Sequence, residues 1–155
     1  MRVVGRVEID RPASQVWAYV TDYGNDANWR AGVQMRPSTP GTAQVGVTTR
    51  EALRLLGMIF RTDATIDRVE PGRLLAWRAH DRQKQLQGSR LVEPTGPGTS
   101  RFTEVVEGRL LGPLRPLGPL VAWLLQQQTT ADLRRLKHLL EAPVTRGSAP
   151  EETAT

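Results

Sequence analysis

Arg90 and Glu104 are the two residues in this sequence whose types and positions best suit chemistry. In the strand-like segment Leu86-Gln87-Gly88-Ser89-Arg90-Leu91-Val92, Arg90 shares a face with apolar residues, and Glu104 does the same with Phe102 and Val106 on the following segment. If both faces point inward, the two charges lie on neighbouring strands and pair, because a bare buried charge is costly. Such a pair could anchor a carboxylate, phenol or carbonyl. The alternative is a one-residue bulge that turns either side chain to solvent.

Other residue types that catalyse reactions or bind metals form no recognisable pattern. The chain has no cysteine, which excludes disulfides and thiolate chemistry. His80 and His138 each have arginines nearby in the sequence, and we expect both at the surface. No paired-histidine metal spacing, HExxH, GxSxG or phosphate loop occurs. We therefore expect no metal and no cofactor. For any catalysis, Glu104 is the candidate general base and Arg90 the candidate oxyanion partner.

Composition and charge indicate one ordinary globular domain. The chain has 155 residues, of which 39% are hydrophobic and 24% charged, enough for a buried core. The net charge of +5 comes mostly from scattered arginines, without the basic block of a nucleic-acid-binding protein. The start of the chain lacks the apolar core of a signal peptide. The longest apolar run, 120–125, is far shorter than the roughly 20 residues of a membrane span. We expect a cytoplasmic protein that binds no nucleic acid.

Most of the chain has the pattern of a meander of antiparallel strands followed by one long helix. Turn residues separate segments of two-residue alternation, the clearest of which starts at Met58 and places Phe60, Thr62, Ala64 and Ile66 on one face. Near the end, leucines spaced by three and four predict an amphipathic helix. The predicted strands are 3–9, 33–36, 44–53, 58–69, 73–80, 83–93 and 101–110, and the predicted helices are 13–20, 26–29 and 120–141.

Two segments are predicted to lack regular structure. Prolines and glycines occur too densely in 111–119 for a regular helix or a central strand. Residues 143–155 are small, polar and acidic, so we expect a disordered tail. The predicted domain is therefore 1–142.

Several short motifs, in order, resemble the polyketide cyclase/dehydrase and lipid-transport family of the START-like (SRPBCC, Bet v 1-like) superfamily. The resemblance covers residues 2–142 and implies an α+β helix-grip fold, in which a curved antiparallel sheet wraps around a long C-terminal helix, with two short helices after the first strand. A ligand cavity between sheet and helix is implied as well. The matching landmarks are Ile9-Asp10-Arg11-Pro12-Ala13-Ser14-Gln15-Val16-Trp17, Asp22, Trp29, Gly57, Val69-Glu70-Pro71, Gly88, Glu93-Pro94, Gly98-Thr99 and the segment from Asp132 to Glu141.

Members of that family bind or transport hydrophobic molecules, cyclise polyketides or regulate through ligand binding. We expect this chain to bind, carry or sense a small lipid- or polyketide-like molecule in the cavity. The alternative is a polyketide aromatase/cyclase or dehydratase that works without metal or cofactor. An enzyme should have two or more convergent ionisable side chains in the pocket, whereas a carrier should have a mostly apolar lining.

Strand parity and helix faces select the residues expected to line the cavity, although the apolar ones could instead be ordinary core. Residues 111–125 could touch a bilayer or form a gate over the cavity mouth, and we favour the gate. The sequence does not specify the oligomeric state. The expected lining residues are Trp17, Met58, Phe60, Thr62, Trp77, Arg90, Phe102, Glu104, Trp123, Leu124 and Gln127.

Overall fold

Seven antiparallel strands form one curved sheet in this computed structural model, which describes residues 1–143. The order across the sheet is β1-β7-β6-β5-β4-β3-β2, so each strand from β2 to β7 pairs with its neighbours in the sequence and β1 joins beside β7. The predicted meander is therefore confirmed. The strands are β1 (Arg2–Ile9), β2 (Val33–Pro37), β3 (Thr48–Leu55), β4 (Met58–Glu70), β5 (Leu74–His80), β6 (Lys84–Gly96) and β7 (Thr99–Leu110).

Three α-helices accompany the sheet, and the long one comes last. Helix α1 (Ala13–Val20) follows Pro12, and α2 (Asp26–Trp29) follows a 3₁₀ turn at Tyr23–Asn25. Asp22 accepts a hydrogen bond from the Gly24 amide at 3.0 Å, which fixes the start of that turn. Helix α3 (Gly118–Glu141) has 24 residues. The α+β helix-grip architecture expected from the sequence is confirmed.

The largest differences from the predicted elements lie in residues 111–120 and at the start of β3. Residues Gly112–Leu117, predicted to lack regular structure, form a short 3₁₀ helix, although their prolines exclude the interior of an α-helix. Helix α3 then begins two residues before the predicted start, since a proline in the first turn loses no hydrogen bond. Strand β3 begins at Thr48 rather than at 44, because the Val47 amide bonds back to the Gln44 carbonyl in a turn.

Helix α3 is attached to the sheet on one side and to the α2 region on the other. The side-chain amide of Gln126 pairs with the backbone of Val4, donating at 2.8 Å and accepting at 3.2 Å, which satisfies part of the β1 edge. On the other side, Gln128 donates to the Ala31 carbonyl at 2.6 Å and Arg135 to the Trp29 carbonyl at 3.0 Å. The helix therefore spans the concave face of the sheet.

The hydrophobic core lies under the C-terminal half of α3. Leu133 and Leu136 pack there against α1 and the sheet. The remaining concave face, under the N-terminal half of α3, is not filled in this way. The main buried apolar residues are Ile9, Val16, Trp17, Val20, Trp29, Ile66, Leu75, Val92 and Phe102.

The predicted disordered tail falls largely beyond the described part of the chain, since residues 144–155 lie outside it. Among residues 1–143, no helix combines the length and apolarity needed to cross a membrane.

Candidate functional site

A cavity of about 130 Å³ lies between the concave face of the sheet and the N-terminal half of α3. All seven strands and α3 contribute side chains to its wall. Most of that wall is apolar, and charged groups gather at one end, where β6 and β7 pass the start of α2. The apolar part includes Val3, Met35, Leu53, Phe60, Ala64, Trp77, Leu86, Val106, Val121 and Leu125.

Arg90 is the central residue of the charged end, and its side chain is only 2% exposed. It forms a bidentate ion pair with Asp26, donating to Oδ1 at 2.9 Å and to Oδ2 at 2.7 Å. It also donates to the Val20 carbonyl at 2.7 Å and through Nε to Glu104 at 3.3 Å. Burial disfavours the charged guanidinium, but Asp26, Tyr23 and Glu104 together outweigh this and raise the pKa of Arg90. Arg90 therefore joins α1, α2 and two strands.

Arg30 extends this network toward β3. Its Nη1 donates to Asp26 at 3.1 Å and to Glu51 at 2.6 Å. Burial favours the neutral form of Arg30, yet the Glu51 and Asp26 carboxylates raise the pKa of its guanidinium. Asp26 thus bridges two arginines and is itself completely buried.

Three carboxylates line the charged end of the cavity, and each has one oxygen that is not used by the network. The hydrogen bonds of Glu51, Glu104 and Asp132 all go to a single oxygen of each side chain. None of the three second oxygens is among the fully buried atoms without a partner, so these oxygens are open to solvent or to the cavity. Burial raises the pKa of Asp132, although the Ala31 amide and Arg30 act in the opposite direction.

The phenol group of Tyr23 borders the same end of the cavity. The Arg90 guanidinium lies 4.4 Å from the centre of its ring, a cation–π contact. Within residues 1–143 the Tyr23 hydroxyl is buried without a hydrogen-bond partner, as is Nε1 of Trp29. Burial raises the pKa of Tyr23, so this group is a neutral donor.

Trp77 forms part of the apolar wall because the residue opposite it is a glycine. Trp77 and Gly88 are paired across β5 and β6. A Cβ atom on Gly88 would lie 2.4 Å from the Trp77 ring, so any larger residue would displace the indole. The absence of a side chain at Gly88 therefore fixes the position of this wall.

Five of the eleven residues expected to line the cavity lie in its wall: Phe60, Thr62, Trp77, Arg90 and Glu104. The predicted inward orientation of Arg90 and Glu104 is confirmed, since they are register partners on β6 and β7 and form an ion pair. The alternative of a bulge that turns one of them outward is wrong.

The structure corrects the expected placement of the other six residues. Trp17 and Phe102 are buried in the core and are not part of the cavity wall. Met58, at the hairpin tip, is 56% exposed and does not line the cavity. On α3 the cavity-lining residues are Val121, Leu125, Gln128, Thr129 and Asp132, which share one helical face because they are separated by three or four residues or are adjacent. Trp123, Leu124 and Gln127 do not lie on that face, and Trp123 is 60% exposed.

Several polar residues of the site are not among those that the sequence predicted to line the cavity. Glu51 shares strand parity with the apolar Leu53, so the argument that found Glu104 could have found it. Asp26 lies on a four-residue helix, which is too short to show a periodic pattern. Asp132 had the appearance of an ordinary helix-surface charge beside Arg135. Both histidines are exposed, as predicted.

Within the described part of the chain, no three acidic or histidine side chains converge closely enough to hold a metal ion. The carboxylates at the charged end of the cavity are therefore too far apart to share one metal ion.

Comparisons with known proteins agree with this architecture. The family model described as polyketide cyclase/dehydrase and lipid transport matches residues 1–141. No curated protein matches the sequence.

Solved structures with the same fold have low sequence identity. A START superfamily protein from Mycobacterium smegmatis is 13% identical, with a TM-score of 0.73 over 90% of this chain and 97% of that one. An aromatase/cyclase from Streptomyces sp. R1128 is 15% identical, with a TM-score of 0.76 over 91% and 93%. A protein from Thermus thermophilus is 15% identical, with a TM-score of 0.76 over 90% and 97%. At these identities the likeness concerns the fold.

Proposed function

The chain belongs to the polyketide cyclase/dehydrase and lipid-transport family, and from this premise we propose that it binds, carries or senses a small hydrophobic molecule in the cavity beneath α3. The main support is the cavity itself, a mostly apolar space whose wall comes from every strand of the sheet. Apolar pockets with a few placed polar groups are the usual form of small-molecule sites.

The volume of the cavity limits the ligand. About 130 Å³ is close to the roughly 150 Å³ of an engineered cavity that takes up benzene. The closed conformation therefore accommodates one ring or a short alkyl chain. A larger lipid or polyketide requires the N-terminal half of α3 to move away from the sheet.

A binding experiment tests this function directly. We expect toluene to bind the purified protein in a ligand-observed NMR titration, and organic extraction followed by mass spectrometry to identify any co-purifying apolar molecule. Ala64→Leu fills the cavity from its β4 wall and should abolish toluene binding. Thr65→Leu, one residue along on the opposite, exposed face, is the control. The proposal fails if neither toluene nor a polar one-ring molecule of similar size binds, or if both variants bind toluene as the wild type does.

A second candidate, an enzyme of the cyclase or dehydratase type, is favoured by one observation. Glu104, Glu51 and Asp132 give the cavity the convergent ionisable groups that a carrier does not need. In a dehydration, Glu104 would remove the proton α to a carbonyl and then donate that proton to the β-hydroxyl, whose C–O bond breaks so that it leaves as water while the α,β double bond forms. Arg90 is a poor oxyanion partner because four of its N–H groups already have acceptors. Conversion of a one-ring β-hydroxy ketone by the wild type and not by Glu104→Gln would support this role.

The segment before and at the start of α3 is proposed as a gate over the cavity. Within residues 111–125, Val121 and Leu125 support this role because they line the wall, whereas Leu120 and Trp123 are exposed. The alternative is that this segment contacts a membrane, and flotation with liposomes tests it. If the protein binds neither liposomes with anionic lipid nor liposomes without it, the membrane alternative is excluded. A cytoplasmic location and the lack of a nucleic-acid partner stay predictions.

A further inference from the structure

We infer that the cavity selects ligands whose polar end donates hydrogen bonds, such as a hydroxyl or a protonated amine, and that it rejects carboxylates. This inference rests on the proposed ligand-binding function and specifies its chemistry. It is opposite in sign to what the inward-facing Arg90 alone suggests, because an isolated arginine would attract an anion.

Many of the arginine N–H groups at the charged end of the cavity already donate to acceptors within the protein. A guanidinium has five N–H groups, and Arg90 uses four of them on Asp26, Val20 and Glu104. Both hydrogens of Arg30 Nη1 are directed to the carboxylates of Asp26 and Glu51. The two arginines therefore serve mainly to neutralise protein carboxylates.

The carboxylates at the same end of the cavity keep hydrogen-bond acceptors that a ligand can use. Glu51, Glu104 and Asp132 each keep one oxygen outside the network, and none of these oxygens is a fully buried, unpaired atom. Each can accept a hydrogen bond from a molecule in the cavity. Hydrogen bonds to ionised acceptors are among the stronger ones, so a donor gains from this end of the cavity.

Carboxylates outnumber guanidiniums at the charged end of the cavity. Four carboxylates, from Asp26, Glu51, Glu104 and Asp132, face three guanidiniums, from Arg30, Arg90 and Arg135. Two further cations belong to residues of the wall. Lys84 is six residues from Arg90 along β6, about 20 Å away, and it pairs with Asp81 at 2.7 Å. The amino terminus of Met1 donates to the Gly108 carbonyl at 2.8 Å, and Gly108 is opposite Leu86 rather than Arg90 in the register of β6 and β7. A ligand carboxylate would therefore enter a region with an excess of negative charge, where Coulomb repulsion is weakly screened.

The spread of the carboxylates points to an organic ligand rather than a metal ion. Among residues 1–143 no three acidic or histidine side chains converge on one point. Separate acceptors match separate donor hydrogens, as on an ammonium group or on a ring with a hydroxyl. A hydroxyl can also accept a hydrogen bond from the remaining N–H groups of Arg30, which a protonated amine cannot.

Four one-ring probes of similar size test the inference at neutral pH: toluene, benzyl alcohol, benzylammonium and benzoate. Their dissociation constants are measured by NMR titration. We expect benzyl alcohol and benzylammonium to bind about tenfold or more tightly than toluene, in line with hydrogen bonds to charged acceptors. Benzoate should bind more weakly than toluene. Benzoate binding as tight as that of either donor overturns the inference.

Toluene binding distinguishes a failure of the proposed ligand-binding function from a failure of the inferred selectivity. If toluene binds and the donors gain nothing over it, the inference is wrong and the proposed function stands. If none of the four probes binds, the proposed function is wrong and the inference falls with it.

Variants locate the selectivity. Glu104→Gln keeps the shape and an acceptor for Arg90 but removes a charge, so benzylammonium should lose several-fold in affinity and benzyl alcohol less. Glu51→Gln should act in the same way, which covers the case in which one variant fails to fold. Glu107→Gln, on the opposite face of β7, is the matched control and should leave all four affinities unchanged. If Glu104→Gln and Glu51→Gln both fold and keep the wild-type ratios of the four dissociation constants, these carboxylates do not cause the selectivity.

Discussion

At the scale of single residues, Arg90 has a structural role before any role toward a ligand. Its bidentate contact with Asp26 joins strand β6 to the short helix α2, and both side chains are almost completely buried. A buried ion pair adds little net stability over an apolar pair, but removal of one partner leaves the other charge without compensation. The network is therefore best tested by removing one partner.

Replacement of Arg90 by methionine should destabilise the protein strongly. Asp26 would then remain buried with only Arg30 as an ionic partner, and we expect the free energy of unfolding to fall by about 3–5 kcal/mol. Urea denaturation followed by circular dichroism measures the change. Arg73→Met is the control, because its 2.7 Å pair with Glu70 lies at the surface, and it should cause only a small fraction of that loss. Equal losses in the two variants would show that Arg90 is no more important than a surface arginine.

Asp132 should give a recognisable pH dependence. Burial raises its pKa in the folded state, so folding favours its protonated form. Its contribution to stability is therefore fully present below the unfolded pKa of about 3.9 and is lost as pH rises through the higher folded value. Relative to Asp132→Asn, the wild type should gain unfolding free energy as pH falls through this window.

Glu141 provides a control for that measurement with the opposite sign. The hydrogen bond from Lys137 lowers the pKa of Glu141, so its contribution is lost as pH falls through the folded value. Urea denaturation of Asp132→Asn and Glu141→Gln, from pH values below the unfolded carboxyl pKa values of about 3.9 and 4.3 up to neutral pH, should give difference curves of opposite slope. Parallel curves would contradict the interpretation of Asp132.

At the scale of secondary-structure elements, the sequence predicted strands better than the orientation of α3. Period-two alternation fixes which side chains share a face of a strand, so Arg90 and Glu104 could be placed inward correctly. Residues 119–125 are apolar without interruption, so no amphipathic pattern distinguishes the cavity face of the helix from its exposed face. Contacts formed later in the helix, by Gln126 with β1 and Gln128 with Ala31, set that rotation. They depend on tertiary structure.

The rotation of α3 leads to a prediction about two neighbouring residues. Leu125 lines the cavity whereas Trp123 is 60% exposed. Leu125→Ala should lower the free energy of unfolding by about 1–3 kcal/mol and enlarge the cavity, so that two-ring ligands such as naphthalene bind more tightly. Trp123→Ala removes the larger side chain but should change stability by only about 0.5 kcal/mol. Denaturation and NMR titration measure both effects. A greater loss for Trp123→Ala would mean that the helix face is misassigned.

At the scale of the whole molecule, the cavity and the fold depend on each other. The wall takes side chains from all seven strands and α3, so none of it forms independently of the sheet. Gly5 shows how close the two layers are, since a Cβ atom there would lie 2.6 Å from both Thr129 and Leu133 of α3. A molecule in the cavity therefore contacts side chains from both the sheet and α3, and the unfolded chain has no equivalent site.

Ligand binding should consequently stabilise the protein as one cooperative unit. At a toluene concentration of about 100 times Kd, we expect the free energy of unfolding to rise by about 2.7 kcal/mol. The unfolding curve should keep a single transition whether it is followed by tryptophan fluorescence or by circular dichroism. The cavity-filled Ala64→Leu variant should show no such shift at the same toluene concentration, whereas Thr65→Leu should behave as the wild type. Two separate transitions would mean that α3 releases the ligand before the sheet unfolds, and the N-terminal half of the helix would then be the element that opens the cavity.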